Sequence, residues 1–360
     1  MKHYTNIMTE LEMRLEAFVK LGGLFREFCE FSNKSEHNQD STNEWFFKFD
    51  ETITLAGHKN GWFIKDNILF CLEKWGNLLT KEKLVKWLSD YDVDQNKSKT
   101  VALIMAGNIP LVGFHDFMAT ILTGNKALIK LSSNDNVLLP FVIKYLTHVA
   151  PTLKNEITIT EGQMKDFDVV IATGSDNTAR YFEHYFGNKP NIIRRNRNSV
   201  AVLTGNETSE QLNALGEDIF RYYGLGCRSV SKFFVPKNYN FNVFFEAIFS
   251  YNPIINQVKY SNNYDYNKAV YLMSEFKLLD NGFLMLKEDE SYSSPIATVF
   301  YEVYDSLKDL ELKLEAEKEK IQCIVGKGII DGEIAFGETQ SPNLSDYADG
   351  IDTVEFLINA

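Results

Sequence analysis

From Thr100 onward, short apolar runs alternate with stretches of helical periodicity, and that rhythm leaves the chain few folds to choose from. VALIM (101–105), ALIKL (127–131), EITIT (156–160), DVVIA (168–172) and VAVLT (200–204) are each too short for a helix and predict strands. Between them PLVGFHDFMATIL predicts a helix with Pro110 in its first turn and Gly124 beyond its end. Ser132 and Ser133 are cap candidates for a helix running to Val149, and a helix from about Asp176 to Phe186 stops at Gly187. Strand, helix, strand repeated in this way predicts an α/β fold with a parallel, doubly wound sheet, because parallel neighbours need crossover connections.

The 360 residues, 44% of them hydrophobic, suffice for about two domains at roughly 150 residues each. Residues 1–98 read as a helical amino-terminal region: Leu11, Leu15, Phe18 and Val19 recur at helical spacing, as do Leu84, Val85 and Leu88, on either side of the polar run FSNKSEHNQDSTNE. The strand–helix series occupies 99–205. A second, smaller α/β domain follows over 206–330, with a helix at about 209–223, the turn GLGC, and the strand RSVSKFFVP. Further on come an aromatic-rich helix near 241–250, a Tyr/Asn-rich connection, strands at 283–287 and 296–301, a charged helix near 305–319, and IQCIV at 321–325. Residues 331–360 form a carboxy-terminal segment expected to return to the core or to an oligomer interface, which leaves room for a homo-oligomer.

Acidic residues outnumber basic ones 49 to 37, for a net charge of -12, and no basic block survives inspection, so nucleic acid and anionic membrane surfaces are poor partners. The amino terminus, MKHYTNIMTELEMRLEAF, carries acidic residues where a signal peptide is apolar, and no run reaches the 18 apolar residues of a membrane span. Cysteines at 29, 71, 227 and 323 are too sparse for a disulfide scaffold and fit a reducing cytoplasm. Six histidines without H-E-x-x-H predict no metal site.

Ligands of doubly wound sheets sit at the carboxyl ends of strands, which draws attention to the turns AGNIP, KLSSND and ATGSDN. Asn108 in the first is either a turn residue tolerant of left-handed backbone or an amide aimed at an oxyanion. Lys130, at a strand end, can reach ribose hydroxyls or phosphate, and Gly174 and Ser175 precede a helix amino terminus that can seat an anion. Without a G-x-G-x-x-G fingerprint a standard Rossmann dehydrogenase is disfavoured. Cys29, Cys71 and Cys323 lie in apolar periodic runs. Cys227 instead follows Gly224-Leu225-Gly226 and precedes Arg228, a cation that favours thiolate.

The order of these motifs resembles the aldehyde dehydrogenase superfamily, whose familiar forms are a P-W-N-F-P turn, a V-x-K-P-x-E strand end, an F-T-G-S turn and a G-Q-x-C nucleophile. AGNIPLVGF, ALIKLSSND and FGETQSPNLSDYADGIDTVEFL look more closely like the bacterial acyl-CoA reductases related to the fatty acyl reductase of bacterial luminescence, a likeness covering about 100–360. The resemblance implies a nicotinamide cofactor domain over 99–205 and a catalytic domain over 206–330. It makes Cys227 the nucleophile and gives the oxyanion to Asn108 and the Cys227 amide. Lys130, Ser132, Ser133, Gly174 and Ser175 are left to the cofactor, NADPH or NADH. The family's acidic residue three places beyond the lysine is Ser133 here, and a hydroxyl suits the 2′-phosphate of NADPH. Two departures stand out: the glutamate that activates water in aldehyde oxidisers aligns near Arg194, and the ribose-holding glutamate has only SYSSP with Pro295 in its place. These suit reduction of an acyl-CoA, or another acyl thioester, to an aldehyde. The alternatives are a cysteine acyltransferase or thioesterase with a base such as His184, and a non-catalytic binding module on the same fold.

Overall fold

The computed structural model describes residues 9–34 and 43–360; residues 1–8 and the middle of the polar run, 35–42, lie outside the described residues. Two compact units emerge, one of Met1–Arg195 with Asn343–Ala360 and one of Asn196–Pro342.

In the first unit, α1 (Glu10–Asn33) opens with a reciprocal cap between Thr9 and Glu12. Its Phe18, Leu21, Phe25 and Phe28 form one fully buried stripe at helical spacing. Helices α2 (Glu44–Lys59), α3 (Lys65–Leu78) and α4 (Lys81–Leu88) complete the amino-terminal region. Val85 is exposed while Leu84 and Leu88 are buried, so the expected apolar stripe of α4 is narrower than its spacing suggested.

The sheet of this unit holds β1 (Thr100–Ile104), β2 (Lys126–Lys130), β3 (Ile157–Ile159), β4 (Val169–Thr173) and β5 (Asn191–Arg194) in the order β3-β2-β1-β4-β5, all parallel. Helices α5 (Phe114–Leu122) and α6 (Leu138–Val149) connect β1–β2 and β2–β3. The amino-terminal helices lie over them: Phe49 of α2 stacks on Phe141 of α6 at 4.2 Å between ring centres, and Phe18 and Phe25 of α1 reach Phe114 of α5. Phe182 and Phe186 of α7 (Asp176–Phe186) pack against Ala102, Val170 and Ala172 of the sheet. The sheet is thus doubly wound.

Several points of the sequence reading need correction. Pro110 precedes α5, which begins at Phe114, because Leu111 adopts a left-handed φ of 53° that a helix cannot include. Ser132 and Ser133 do not cap α6; its first N–H, that of Leu138, donates to Asp135. NIIR, too short and too polar at its flanks to stand out, is β5. VAVLT lies in the other sheet, as β6 (Asn198–Val202), so the chain changes sheets at Arg195–Asn196 and not after 205.

The second unit orders its strands β11-β6-β7-β10-β9-β8, with β7 (Val230–Pro236), β8 (Leu278–Asp280), β9 (Met285–Glu288), β10 (Thr298–Tyr304) and β11 (Ile321–Val325). All pairs are parallel except β8–β9. Its helices are α8 (Ser209–Phe220), α9 (Phe241–Ala247), α10 (Val258–Met273) and α11 (Leu307–Ala316). The Tyr/Asn-rich stretch expected as a connection is α10, which buries Tyr260, Tyr264 and Asn267 on one face; Tyr260 Oη donates to the Phe283 carbonyl at 2.9 Å.

The carboxy-terminal segment belongs to the first unit. Helix α12 (Thr353–Asn359) ends on Lys99, whose Nζ donates to the carbonyls of Leu357 and Ile358 at 2.9 and 3.1 Å. Tyr91 Oη donates to Asp352 Oδ2 at 2.6 Å, Trp87 Nε1 donates to Tyr347 Oη at 2.9 Å, and Thr353 receives a bond from buried Arg194. Arg194 also forms a two-point ion pair with buried Asp116 of α5. Removing one member of such a pair leaves the other charge buried and alone. Asp116→Ala is therefore expected to lower the unfolding free energy by about 3–5 kcal/mol, read as a reduced urea midpoint.

Candidate active site

In the first unit the strand order places the topological switch between β1 and β4, so the crevice of this sheet opens at the turns that carry Asn108 and Gly174. Asn108 is exposed on the turn after β1. That turn presses against the loop after β2: a Cβ on Gly107 would stand 2.6 Å from Ser132 Oγ and 2.9 Å from the Asp135 amide. Only glycine fits there.

Asp135 joins the two turns. Its buried carboxylate accepts from the Leu111 amide at 3.1 Å and from the Leu138 amide at 3.4 Å, so the left-handed residue after Asn108 and the start of α6 share one anchor. Burial raises the Asp135 pKa, and the backbone N–H bonds oppose that rise. Cys71 of α3 supports the same turn, its Sγ donating to the Pro110 carbonyl at 3.4 Å.

Lys130 ends β2 half-buried, with Nζ donating to the Gly162 carbonyl at 3.4 Å. Ser132 Oγ accepts from the Asn134 amide at 3.2 Å, and Ser133 is exposed. Ser175 is the cap of α7: its Oγ accepts from the Thr178 amide at 3.4 Å, and Gly174 N donates to the Arg194 carbonyl at 3.3 Å. Asp116, the carboxylate that Arg194 touches, is buried and held by that guanidinium. His184 is exposed on α7, beside the Tyr185 ring.

In the second unit Cys227 occupies the second position of a turn closed by the Ser229 amide donating to the Gly226 carbonyl at 3.0 Å, just before β7. Ser199 of β6 fixes this turn from the neighbouring strand, its Oγ donating to the Cys227 carbonyl at 3.0 Å. Cys227 is exposed, whereas Cys29, Cys71 and Cys323 are buried. The segment before the turn runs through three left-handed residues, Tyr222, Tyr223 and Gly224, at φ 55°, 59° and 75°.

The loop 337–340 grips the same turn. Arg228 Nε donates to the Thr339 carbonyl at 2.6 Å, and Gln340 Nε2 reaches Ser229 Oγ at 3.5 Å. Asp218 of α8, fully buried, accepts from the amides of Gly337 and Thr339 and from the Thr339 hydroxyl. Burial pushes its carboxyl up to about 6 against those three bonds. Sequence reasoning missed Asp218 and Asp135. The spacing T-Q within FGETQ carried no local hint of a partner on a helix 121 residues away.

The SYSSP stretch turns tightly into β10, with the Thr298 amide donating to the Pro295 carbonyl at 3.1 Å. Among the described residues no group of three or more His, Cys, Asp or Glu is placed to hold a metal ion, and no helix is long and apolar enough to cross a membrane.

The family model of acyl-CoA reductases, LuxC, matches residues 78–247. Over that span, a little under half of the chain, the sequence is similar to acyl-CoA reductases. The matched region contains Asn108, Lys130, Ser132, Ser133, Gly174, Ser175 and Cys227. The fold of the chain is that of aldehyde dehydrogenases. Aldehyde dehydrogenase 21 from Physcomitrella patens, solved in complex with the reaction product succinate, superposes with a TM-score of 0.65 at 12% identity, covering 98% of this chain and 84% of that one. An indole-3-acetaldehyde dehydrogenase complexed with NAD+ gives 0.63 at 11% identity over 89% of this chain and 72% of that one. The aldehyde dehydrogenase KauB from Pseudomonas aeruginosa gives 0.63 at 12% identity with the same coverage. No curated protein sequence matches this chain significantly.

The difference in exposure makes a selective chemistry at Cys227 directly observable. Burial, with Glu73 adding to it, pushes the Cys29 thiol up to about 12, and Cys71 and Cys323 are also screened from solvent. Limiting iodoacetamide at pH 8 is expected to label the native protein once, at Cys227, as read by peptide mass spectrometry.

Proposed function

We propose that this chain reduces an acyl-CoA, a fatty acyl thioester by the resemblance, to the aldehyde with a reduced nicotinamide cofactor, through an acyl group carried on Cys227. The observation that supports this most is Cys227 itself, the exposed cysteine among four, held in a strand-leading turn inside the span matched to acyl-CoA reductases.

The cofactor suits the first unit. Its switch point lies between the ends of β1 and β4, where Gly174 packs against Thr178 and Phe182 and the amino terminus of α7 offers backbone N–H groups. Ser175 Oγ is engaged in capping that helix, so phosphate would be met by amides there. Lys130, Ser132 and Ser133 would hold the adenosine ribose and its phosphate. When bound, the reduced nicotinamide supplies the hydride that the acyl carbon takes up.

Cys227 thiolate attacks the thioester carbonyl carbon. A carbon–sulfur bond forms, the carbonyl oxygen becomes an oxyanion, and collapse expels CoA thiolate, which takes its proton from solvent. Asn108 and the Cys227 amide are the donors assigned to that oxyanion. After reduction the Cys227 sulfur leaves as thiolate and the aldehyde is released. No step needs an activated water. By the resemblance, Arg194 aligns near the water-activating glutamate of aldehyde oxidisers, and its partner Asp116 is buried in an ion pair. A thiolate nucleophile of this kind requires a reducing compartment, which the cytoplasm supplies.

Cys227→Ala is expected to abolish NADPH-dependent aldehyde formation from acyl-CoA while leaving nicotinamide binding intact, and labelled acyl-CoA should mark wild-type Cys227 alone. An alanine variant with wild-type turnover would end this reading.

Cofactor choice is tested at Ser133, which is exposed beside Lys130 in the loop after β2. Ser133→Glu should shift the ratio of kcat/KM values from NADPH toward NADH by about fivefold or more. Two like charges 4 Å apart repel by about 1 kcal/mol even in water. Equal ratios in variant and wild type would place the selection elsewhere.

A further inference from the structure

We propose that Asp218 is a positioning residue for the nucleophile turn, acting through the loop 337–340 to fix the Arg228 side chain next to Cys227. The inference deepens the reading of Cys227 as nucleophile and rests on it for its catalytic meaning.

Both carboxylate oxygens of Asp218 are committed to that loop. Oδ2 accepts from Gly337 N at 2.7 Å, and Oδ1 accepts from Thr339 N at 2.9 Å and Thr339 Oγ1 at 2.8 Å. The loop lies directly on α8. Gly337 has a φ of 86°, and a Cβ there would stand 3.1 Å from the Ala214 side chain. With its amides turned inward to Asp218, Thr339 presents its carbonyl to Arg228 Nε at 2.6 Å. Gln340 adds a second hold on the turn at Ser229. The residue after Cys227 and the one after that are therefore both gripped by a loop that Asp218 shapes.

A fully buried carboxylate is a costly way to hold a loop, since burial pushes its pKa up to about 6. An asparagine in its place has one acceptor oxygen and could not accept at both positions as Asp218 does. A fixed guanidinium one residue from a thiol stabilises the thiolate, which is the reactive form. For Asp218 to act in this way, the position set by the Thr339 carbonyl must keep this charge nearer to the thiol, and less hydrated, than a freely moving side chain would on average. Asp218 thus acts on Cys227 through two successive hydrogen bonds and one covalent neighbour.

The test measures thiolate reactivity in the full-length protein, with iodoacetamide as probe and intact mass as readout, across pH 5 to 9. In Asp218→Asn and in Arg228→Gln the Cys227 labelling rate at neutral pH should fall about tenfold, with the rise of rate against pH displaced upward by about one unit. Thr339→Ser, which keeps both donors to Asp218, should follow the wild-type profile. Loosening of the loop without loss of positioning would leave the rate unchanged or raise it, since exposure would increase. Wild-type profiles in Asp218→Asn would overturn the proposal. If that variant does not fold, a wild-type profile in Arg228→Gln overturns it equally. Labelling needs no acyl transfer, so these profiles decide the role of Asp218 even where turnover survives Cys227→Ala and the catalytic reading fails.

Discussion

Two charges that cannot leave each other organise the first unit. Arg194 ends β5 and Asp116 lies in the first turn of α5, and both are buried. Taking each out of water costs several kcal/mol, which only the partner offsets, so the strand end and the helix are held at one separation. Arg194 also donates to Thr353 at the start of α12, and the carboxy-terminal segment is thereby drawn onto the same helix. His115, next to Asp116, is buried with its Nε2–H donating to the Leu344 carbonyl at 2.9 Å, and burial lowers its pKa so that it stays neutral. A carboxylate and an imidazole that would serve as bases in a wet cleft are here committed to closing the unit.

The same device recurs with backbone donors in place of a guanidinium. Asp135 binds the Leu111 and Leu138 amides, and Asp218 binds Gly337 and Thr339. Each buried aspartate ties a loop to an element distant from it or to a neighbouring strand's turn. In each unit the loop so held touches a candidate catalytic segment, the Asn108 turn in one and the Cys227 turn in the other. Parallel sheets deliver loops to their carboxyl ends without fixing loop shape. Hydrogen bonds to ionised acceptors are roughly twice as strong as neutral ones, which suits them to that task.

Much of this architecture was legible from residues. VALIM, ALIKL and DVVIA mark β1, β2 and β4 because buried parallel strands are near-continuous apolar runs, and Gly187 marks the end of α7 as the residue that caps it. Cys227 stood apart from the other cysteines through its glycines, and it is the exposed one. What escaped did so for physical reasons. VAVLT has the same composition as the strands before it, and nothing local tells a strand which sheet it will join. KYSNNYDYNKAVYLM hides a helix because tyrosine and asparagine are weak helix formers, and α10 is kept by burying Tyr260 and Tyr264. Ser132 and Ser133 look like caps, yet Asp135 does that work, since a carboxylate with two oxygens can serve a helix and a turn together. Asp218 looks like any acidic residue on a helix surface until its partners are in place.

The approach to Cys227 raises an energetic question of its own. Tyr222 and Tyr223 are both left-handed, a conformation that costs of order 1–3 kcal/mol for each non-glycine residue. Such a run persists only where its surroundings determine it. Both tyrosines are buried, Tyr223 lies 6.1 Å from the Tyr260 ring, and burial of an aromatic side chain contributes roughly 1.5–3 kcal/mol. The two terms are comparable, so the rings can hold the backbone in a course it would not take alone. That course is what the turn needs. A helix continued past Phe220 would carry its next residues onward along the axis, whereas Arg221, at ψ 135°, ends it, and the three left-handed residues that follow let Leu225 close a tight bend on Tyr222. Cys227 then reaches solvent between two buried tyrosines and a buried strand, and its exposure follows from the cost accepted just before it.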